Sequence, residues 1–190
     1  RAVASTWSLQ YLWALLPPLA AAASVLQHVF PAAAADMALT VDTEGLPLRF
    51  YISHEGESAQ DADTLTRYDA LLFQHLEPLF ACISEQANLP RKILWGNAAR
   101  YLEIVLEQAL VATGGSAVVA DDKDTLLQQP HWSAGRRNPF HAHQCEVLLH
   151  NEGRCETIRL HRQCCLTHLL PAERHCTACP LAPQHQPGFA

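Results

Sequence analysis

The 190 residues carry a formal charge of -6, two lysines (Lys92 and Lys123) and no basic run, so electrostatics gives no support to a nucleic-acid partner or to anionic lipid. A chain of this length buries a substantial core without disulfide or metal staples, so any metal it holds serves function rather than scaffolding. Seven cysteines are too few for a disulfide framework, and the odd number suits a reducing compartment, here the cytoplasm.

Residues 5 to 31 read as helical, with Ser5 as N-cap. Pro17-Pro18 are expected to kink or divide the segment, because they remove donors and clash with the preceding turn. The apolar run Leu12 to Leu26 falls short of the ~20 residues that cross a bilayer. It predicts a buried core element and no membrane span, with peripheral membrane contact left open. From Met37 to Ser53 the pattern changes to short runs rich in β-branched and aromatic residues, Leu39-Thr40-Val41 and Leu48-Arg49-Phe50-Tyr51-Ile52, split by Glu44-Gly45-Leu46-Pro47. That reads as a β-hairpin, followed by a loop or helix lead-in over His54 to Asp63.

Tyr68, Leu72, Leu76, Leu79 and Ile83 place one apolar stripe on a helix of about six turns with a bend expected at Pro78. Leu94, Ala98, Leu102, Val105 and Ala109 repeat the pattern in a second helix that Gly114-Gly115 should stop. Trp95 and Asn97, near the start of that helix, read as a packing tryptophan and a capping asparagine. Residues 120 to 144 are polar and read as irregular. Glu146 to Leu149 and Thr157 to His161 then resemble two strands joined around Asn151-Glu152-Gly153. The prediction is one α+β domain over residues 1–190. Within it, residues 1–144 are expected to be mostly helical with one early β-hairpin, and residues 145–190 to form a β-hairpin plus a four-cysteine loop.

That loop, Cys164 to Cys179, packs four of the seven cysteines into sixteen positions. The Cys176-x2-Cys179 turn brings two thiolates to one metal and aims backbone N–H groups at the first sulfur, as iron-sulfur sites require. Cys164 and Cys165 are adjacent, so their side chains diverge on extended backbone and converge only if the strand ends there. A two-iron cluster relaxes that demand. A Cys164–Cys165 disulfide would be strained, because neighbouring Cα atoms lie ~3.8 Å apart and ordinary bridges need ~4.4 Å or more. A zinc site usually offers two separated Cys-x2-4-Cys knuckles, and here one half lacks its spacer. A thioredoxin-type pair at Cys176 and Cys179 would lack its βαβ setting. Cys82, Cys145 and Cys155 read as packing or incidental thiols. Eight histidines follow residue 130, with no pair on a convincing ligand spacing.

Cys-Cys-x10-Cys-x2-Cys near the carboxyl end resembles the cluster motif of siderophore-iron reductases of the FhuF type. Around it stand His161-Arg162 as the basic pair, Leu170-Pro171 in the loop and Cys179-Pro180 after the last ligand. Lys92-Ile93-Leu94-Trp95-Gly96-Asn97 is similar to the family's Trp-x-Asn segment. Trp7 through Pro18 is similar to its opening helix with a double proline, and Asn138-Pro139 fits before the final hairpin. Two departures are His161 in place of arginine and the lack of a counterpart to the family's extra amino-terminal stretch.

The resemblance implies a 2Fe-2S cluster on Cys164, Cys165, Cys176 and Cys179 that reduces a ferric siderophore, hydroxamate types first, and releases ferrous iron. The chemistry agrees, because hard ferric iron is held tightly by siderophore oxygens and ferrous iron much more weakly, so one electron loosens the metal. Neither Gly-x-Gly-x-x-Gly nor a P-loop occurs in the sequence, so the electron donor is expected to be a separate flavoprotein or ferredoxin. Arg162, Arg174, His161, His168 and His175 crowd the loop and would raise the potential of a cluster there. Two other classes stand beside the reductase. One is a non-enzymatic 2Fe-2S electron carrier or sensor, and the other is a zinc-stabilised siderophore-binding module.

Overall fold

A computed structural model describes residues 1–132, 135–151 and 154–185. The chain is about 53% helical, with short antiparallel β-hairpins, which is the α+β class expected from the sequence. The opening helix, α1 (Ala2–Ala21), continues into a π-type turn over Ala22–Leu26. It starts before Ser5, which is buried inside it rather than capping it. Pro17 and Pro18 do not divide it. The two bonds they forgo would use the carbonyls of Trp13 and Ala14, and Trp13 is 55% exposed, so water can replace the lost donors. The opposite face is core, with Tyr11, Leu12, Leu15, Leu16 and Leu19 all buried.

Taken with its π turn, the helix over Ala2–Leu26 has 25 residues, and its most apolar 18-residue stretch has a mean hydropathy of 1.5. That is long and apolar enough to cross a membrane, which Leu12 to Leu26 alone is not. It is the one such helix among the described residues, and 44% of its most apolar stretch is buried inside the fold. Gln27, in the left-handed region at φ +49, ends the segment. Strand β1 (His28–Val29) follows and pairs antiparallel with β4 (Glu57–Ser58), a short strand inside the stretch read as a loop.

The early hairpin is β2 (Met37–Val41) with β3 (Pro47–Ile52), where Leu39 faces Phe50. It packs on α1 through Phe50 against Tyr11, edge to face with centroids 5.2 Å apart. Trp7 Nε1 also donates to the carbonyl of Gly45 at the hairpin tip, 2.8 Å away. The second helical stretch divides into α2 (Thr64–Leu71), a π-type turn over Leu72–Leu76 and α3 (Glu77–Ala87). Asp63 caps it by accepting from the Thr66 N–H at 2.7 Å. The irregularity falls just before Pro78, the residue that cannot donate.

Helix α4 (Arg91–Ala112) ends as predicted, with Gly114 at φ +65 and Gly115 at φ +87. Its contacts with α1 advance together along both helices. Asn97 reaches Ser5 and Ser8, and Tyr101 then meets Trp13. Asn97 is therefore not a cap. It sits in the helix interior, fully buried, and its amide nitrogen lies 3.1 Å from Ser5 Oγ and 3.0 Å from Ser8 Oγ. Trp95 does pack, edge to face against Phe80 and Phe140.

The stretch read as irregular from residue 120 begins instead with α5 (Ala117–Lys123) and a π-type turn over Asp124–Gln128. Its polar composition hid a buried face formed by Val119, Asp122, Leu126 and Leu127. Asp122 is the tie. It accepts from Arg67 Nη2 at 2.5 Å and from Thr64 Oγ1 at 2.6 Å, so a buried ion pair pins this segment to α2. The last hairpin, β5 (Gln144–Asn151) with β6 (Arg154–His161), has the antiparallel pairing expected. Glu152 and Gly153 of its predicted turn lie outside the described residues.

Candidate metal centre

The final strand delivers the chain to the cysteines. After β6, the Arg162 N–H donates to the His143 carbonyl at 2.8 Å, which holds the exit strand in place. The His161 N–H donates to the Ala178 carbonyl at 2.9 Å, which brings the far arm of the loop back beside its start. Between these arms Leu166 (φ +64) and Ala172 (φ +65) take left-handed conformations, and a 3-10 turn covers Thr167–Leu169. Strand β6 has ended at His161, before the adjacent pair, so extended backbone no longer forces the two side chains apart. The loop rests on α1 through Thr6 Oγ1 and Thr167 Oγ1, 3.2 Å apart. It is held to α4 by Arg100, whose guanidinium donates to the Gln163 carbonyl.

Cys164 Sγ lies 3.8 Å from Cys179 Sγ, and Cys165 and Cys176 lie near enough to shift each other's titration in opposite directions. Cys164 and Cys179 each also accept a backbone N–H, from Leu166 to Cys164 at 3.3 Å and from Leu181 to Cys179 at 3.4 Å. The Cys176-x2-Cys179 turn closes through the Cys179 N–H and the Cys176 carbonyl at 3.0 Å. Cys82, Cys145 and Cys155 are exposed and outside this group.

Electrostatics separates the thiols. The hydrogen bond from Cys176 pulls Cys165 down to about 4 against the opposing effect of burial, helped by Thr167 and by the charge of Arg100. Cys176, as the donor and partly buried, is pushed strongly upward. Burial pushes Cys164 up to about 11, and the neighbouring Cys179 adds to this while the Leu166 N–H offsets part of it. Thiolates at such a site need compensation from cations and N–H groups. Arg100, from the middle of α4, supplies that charge, and nothing in the local sequence of the loop pointed to it.

The histidines sort differently from expectation. His168 Nδ1 lies 3.6 Å from Cys164 Sγ. Cys164, His168 and Cys179 form a group whose ligand atoms all fall within 4.8 Å of one another. His168 is thus a metal-capable neighbour that ligand spacing did not mark. The available signal was its position four residues after Cys164, on the far side of a tight turn. His175 stacks on it with ring centroids 4.2 Å apart. His161 is pulled down to about 4, first by burial and then by the charge of Arg100, so near neutral pH it adds no positive charge. Arg162 turns away into a separate cavity that it lines with Gln163. Arg174 lines, with Cys165 and Cys176, a cavity of about 540 Å³.

Residues 5–157 match the family model described as ferric iron reductase FhuF-like transporter. The chain belongs to the FhuF-like family. The matched span contains most of the opening helix, the Trp95-Gly96-Asn97 segment and Asn138-Pro139, and it ends before the four cysteines. No curated protein matches the chain at a significant level. Family membership supports a role related to the reduction of siderophore iron. The donor set adds a cysteine-rich site suited to metal: a close sulfur pair, two N–H donors to sulfur and a cation near the loop fit a thiolate-bound metal centre.

Proposed function

We propose that this chain is a ferric siderophore reductase of the cytoplasm that carries a 2Fe-2S cluster on Cys164, Cys165, Cys176 and Cys179. The observation that carries the reading is the contact between Cys164 and Cys179 at the two ends of a four-cysteine loop, in a chain of a ferric iron reductase family. When bound, such a cluster supplies single electrons, which is the change that turns tightly chelated ferric iron into weakly held ferrous iron. The residues of the chain do the rest. Cys164, Cys165, Cys176 and Cys179 would hold the cluster through their thiolates. The Leu166 and Leu181 N–H groups and Arg100 stabilise sulfur charge, and the bonds from Arg100 and Thr6 keep the loop fixed to α4 and α1. A separate flavoprotein or ferredoxin delivers the electron.

The group Cys164, His168 and Cys179 favours a second reading, a single metal ion such as zinc held by two thiolates and an imidazole. Anaerobic purification followed by visible spectroscopy and iron and sulfide analysis separates the two. The reductase reading expects red-brown protein with about two irons and two sulfides per chain, reoxidised after dithionite treatment by ferric siderophores, with ferrous ion trapped by a chelator. Colourless protein with one zinc would sink it.

A further inference from the structure

Beside the cysteine loop, and separate from the cavity over Cys165 and Cys176, lies a second hollow of about 450 Å³. Three distant segments build it: Lys92, Trp95 and Gly96 from the start of α4, Arg137 to Pro139 from the connection before β5, and Arg162 with Gln163 from the strand exit. Its volume lies in the range of small-molecule sites, and Trp95 and Pro139 give it apolar wall. The wall is also fixed. Gly96 lies so close to the strand exit that a Cβ there would meet Gln163 Cβ at 3.2 Å.

The charge of this hollow is unlike that of the rest of the chain. Lys92, Arg137 and Arg162 are exposed cations, and among the described residues none of the three has a carboxylate partner. Three other arginines near this end are engaged. Arg136 pairs with Glu77, Arg159 lies 3.8 Å from Glu146, and Arg100 is bonded to Gln163. No acidic residue lines the hollow, whereas the cavity over Cys165 and Cys176 sets Glu103 and Glu173 against Arg100 and Arg174. In a chain of net charge -6, three unpaired cations around one concavity form a site for an anion.

The hollow also touches the metal loop without contributing a ligand to it. Gln163 in its wall immediately precedes Cys164, so the two Cα atoms are ~3.8 Å apart. A molecule seated there would lie beside the Cys164 and Cys179 pair. We propose that this hollow is the substrate site, and that it selects ferric chelates of net negative charge, catecholate or carboxylate in type, over the neutral hydroxamates expected from the resemblance. Its role as a substrate site rests on the reductase reading, and its charge preference rests on the hollow alone.

The test uses the cluster-loaded protein under anaerobic conditions and redox-inert gallium chelates, so that binding is read apart from electron transfer. Calorimetric titration with a triply negative gallium tris-catecholate and a neutral gallium tris-hydroxamate of similar size should give at least tenfold tighter binding of the anion. Each of Lys92→Gln, Arg137→Gln and Arg162→Gln should weaken that binding about fivefold, the effect of one charge contact in a water-like dielectric, and added salt should weaken it further. The neutral chelate should be indifferent to both. All three residues are exposed, and an unchanged visible spectrum confirms that each variant keeps its metal centre.

Equal or tighter binding of the neutral chelate, or full affinity in all three variants, would overturn the proposal. So would variants that keep chelate affinity but are no longer reduced by an acidic ferredoxin, which would make the hollow a landing place for the donor. Reoxidation of reduced protein by the ferric forms is measured in parallel. If no ferric chelate reoxidises the protein while the gallium preference holds, the reductase reading fails and the anion site stands. If reoxidation occurs without the preference, the reverse is true.

Discussion

Cys164 Sγ and Cys179 Sγ, the two ends of the four-cysteine loop, lie 3.8 Å apart, although fourteen residues separate them in the chain. The contact pairs one member of the adjacent cysteines with one member of the Cys-x2-Cys turn. Serine at any of the four positions should therefore bleach or destabilise the centre, whereas Cys82→Ser, Cys145→Ser and Cys155→Ser should leave the visible spectrum unchanged. His168→Ala decides between the two metal readings. Iron and sulfide content should survive it if the four thiols hold a two-iron cluster, and metal should be lost if His168 is a ligand.

The α1–α4 contact depends on Asn97. Its amide nitrogen faces two serine hydroxyls and the Ser5 carbonyl at 3.0 to 3.3 Å, all inside the core. Asn97→Ala should cost about 2 kcal/mol, the scale of a buried polar group losing its partners, and lower Tm by roughly 4–8 °C for a chain of this size. Differential scanning calorimetry on the cluster-loaded protein reads the shift. A change below about 1 °C, a small fraction of that scale, would mean that the serines satisfy one another without it.

Arg67 and Asp122, with side chains 4% and 0% exposed, hold α5 to α2. Removing one partner strands a buried charge, so Asp122→Ala should destabilise by about 3–5 kcal/mol. The double replacement Arg67→Met with Asp122→Leu should recover much of the loss, because an apolar pair of similar volume needs no desolvation of charge. Denaturant midpoints for the three proteins test both statements, and equal midpoints for the single and double variants would refute the second.

His75 bridges the Tyr11 hydroxyl, 2.6 Å from its Nε2, and the Ala32 carbonyl, 2.8 Å from its Nδ1. Burial holds its pKa below the ordinary value, and the bond to Ala32 only partly offsets this. The unfolded chain therefore binds this proton first, at a pKa of about 6.5. The contribution to stability is complete above that pH and is lost as pH falls below it towards the folded value. Comparing thermal midpoints from about pH 7.5 down to about pH 5, a range that brackets the unfolded pKa, the wild type should fall more steeply than His75→Gln, which keeps a polar neighbour for Tyr11 but does not titrate. The difference should not exceed about 1.4 kcal/mol per pH unit. Parallel slopes would show that His75 is not the group responsible.

The local sequence settles what depends on neighbours along the chain. Apolar spacing every three or four residues marks α4, and Gly114-Gly115 marks its end, because a left-handed exit without steric cost needs glycine. Alternation marks the β2–β3 hairpin, and the spacing of Cys164, Cys165, Cys176 and Cys179 marks a metal loop because few other uses place four thiols so close together. Tertiary packing decides the rest. Asn97 reads as a cap and is a buried tie, since only the approach of α1 supplies Ser5 and Ser8. The polar stretch after Ala117 is helical because Arg67, some fifty residues earlier, neutralises Asp122 in the core. Arg100 reaches the cysteine loop from the middle of a helix, and Lys92, Arg137 and Arg162 share one hollow only after three segments fold together. Charge acts through space rather than along the chain, so the pairing of the sulfurs and the field around them became visible only in the folded molecule.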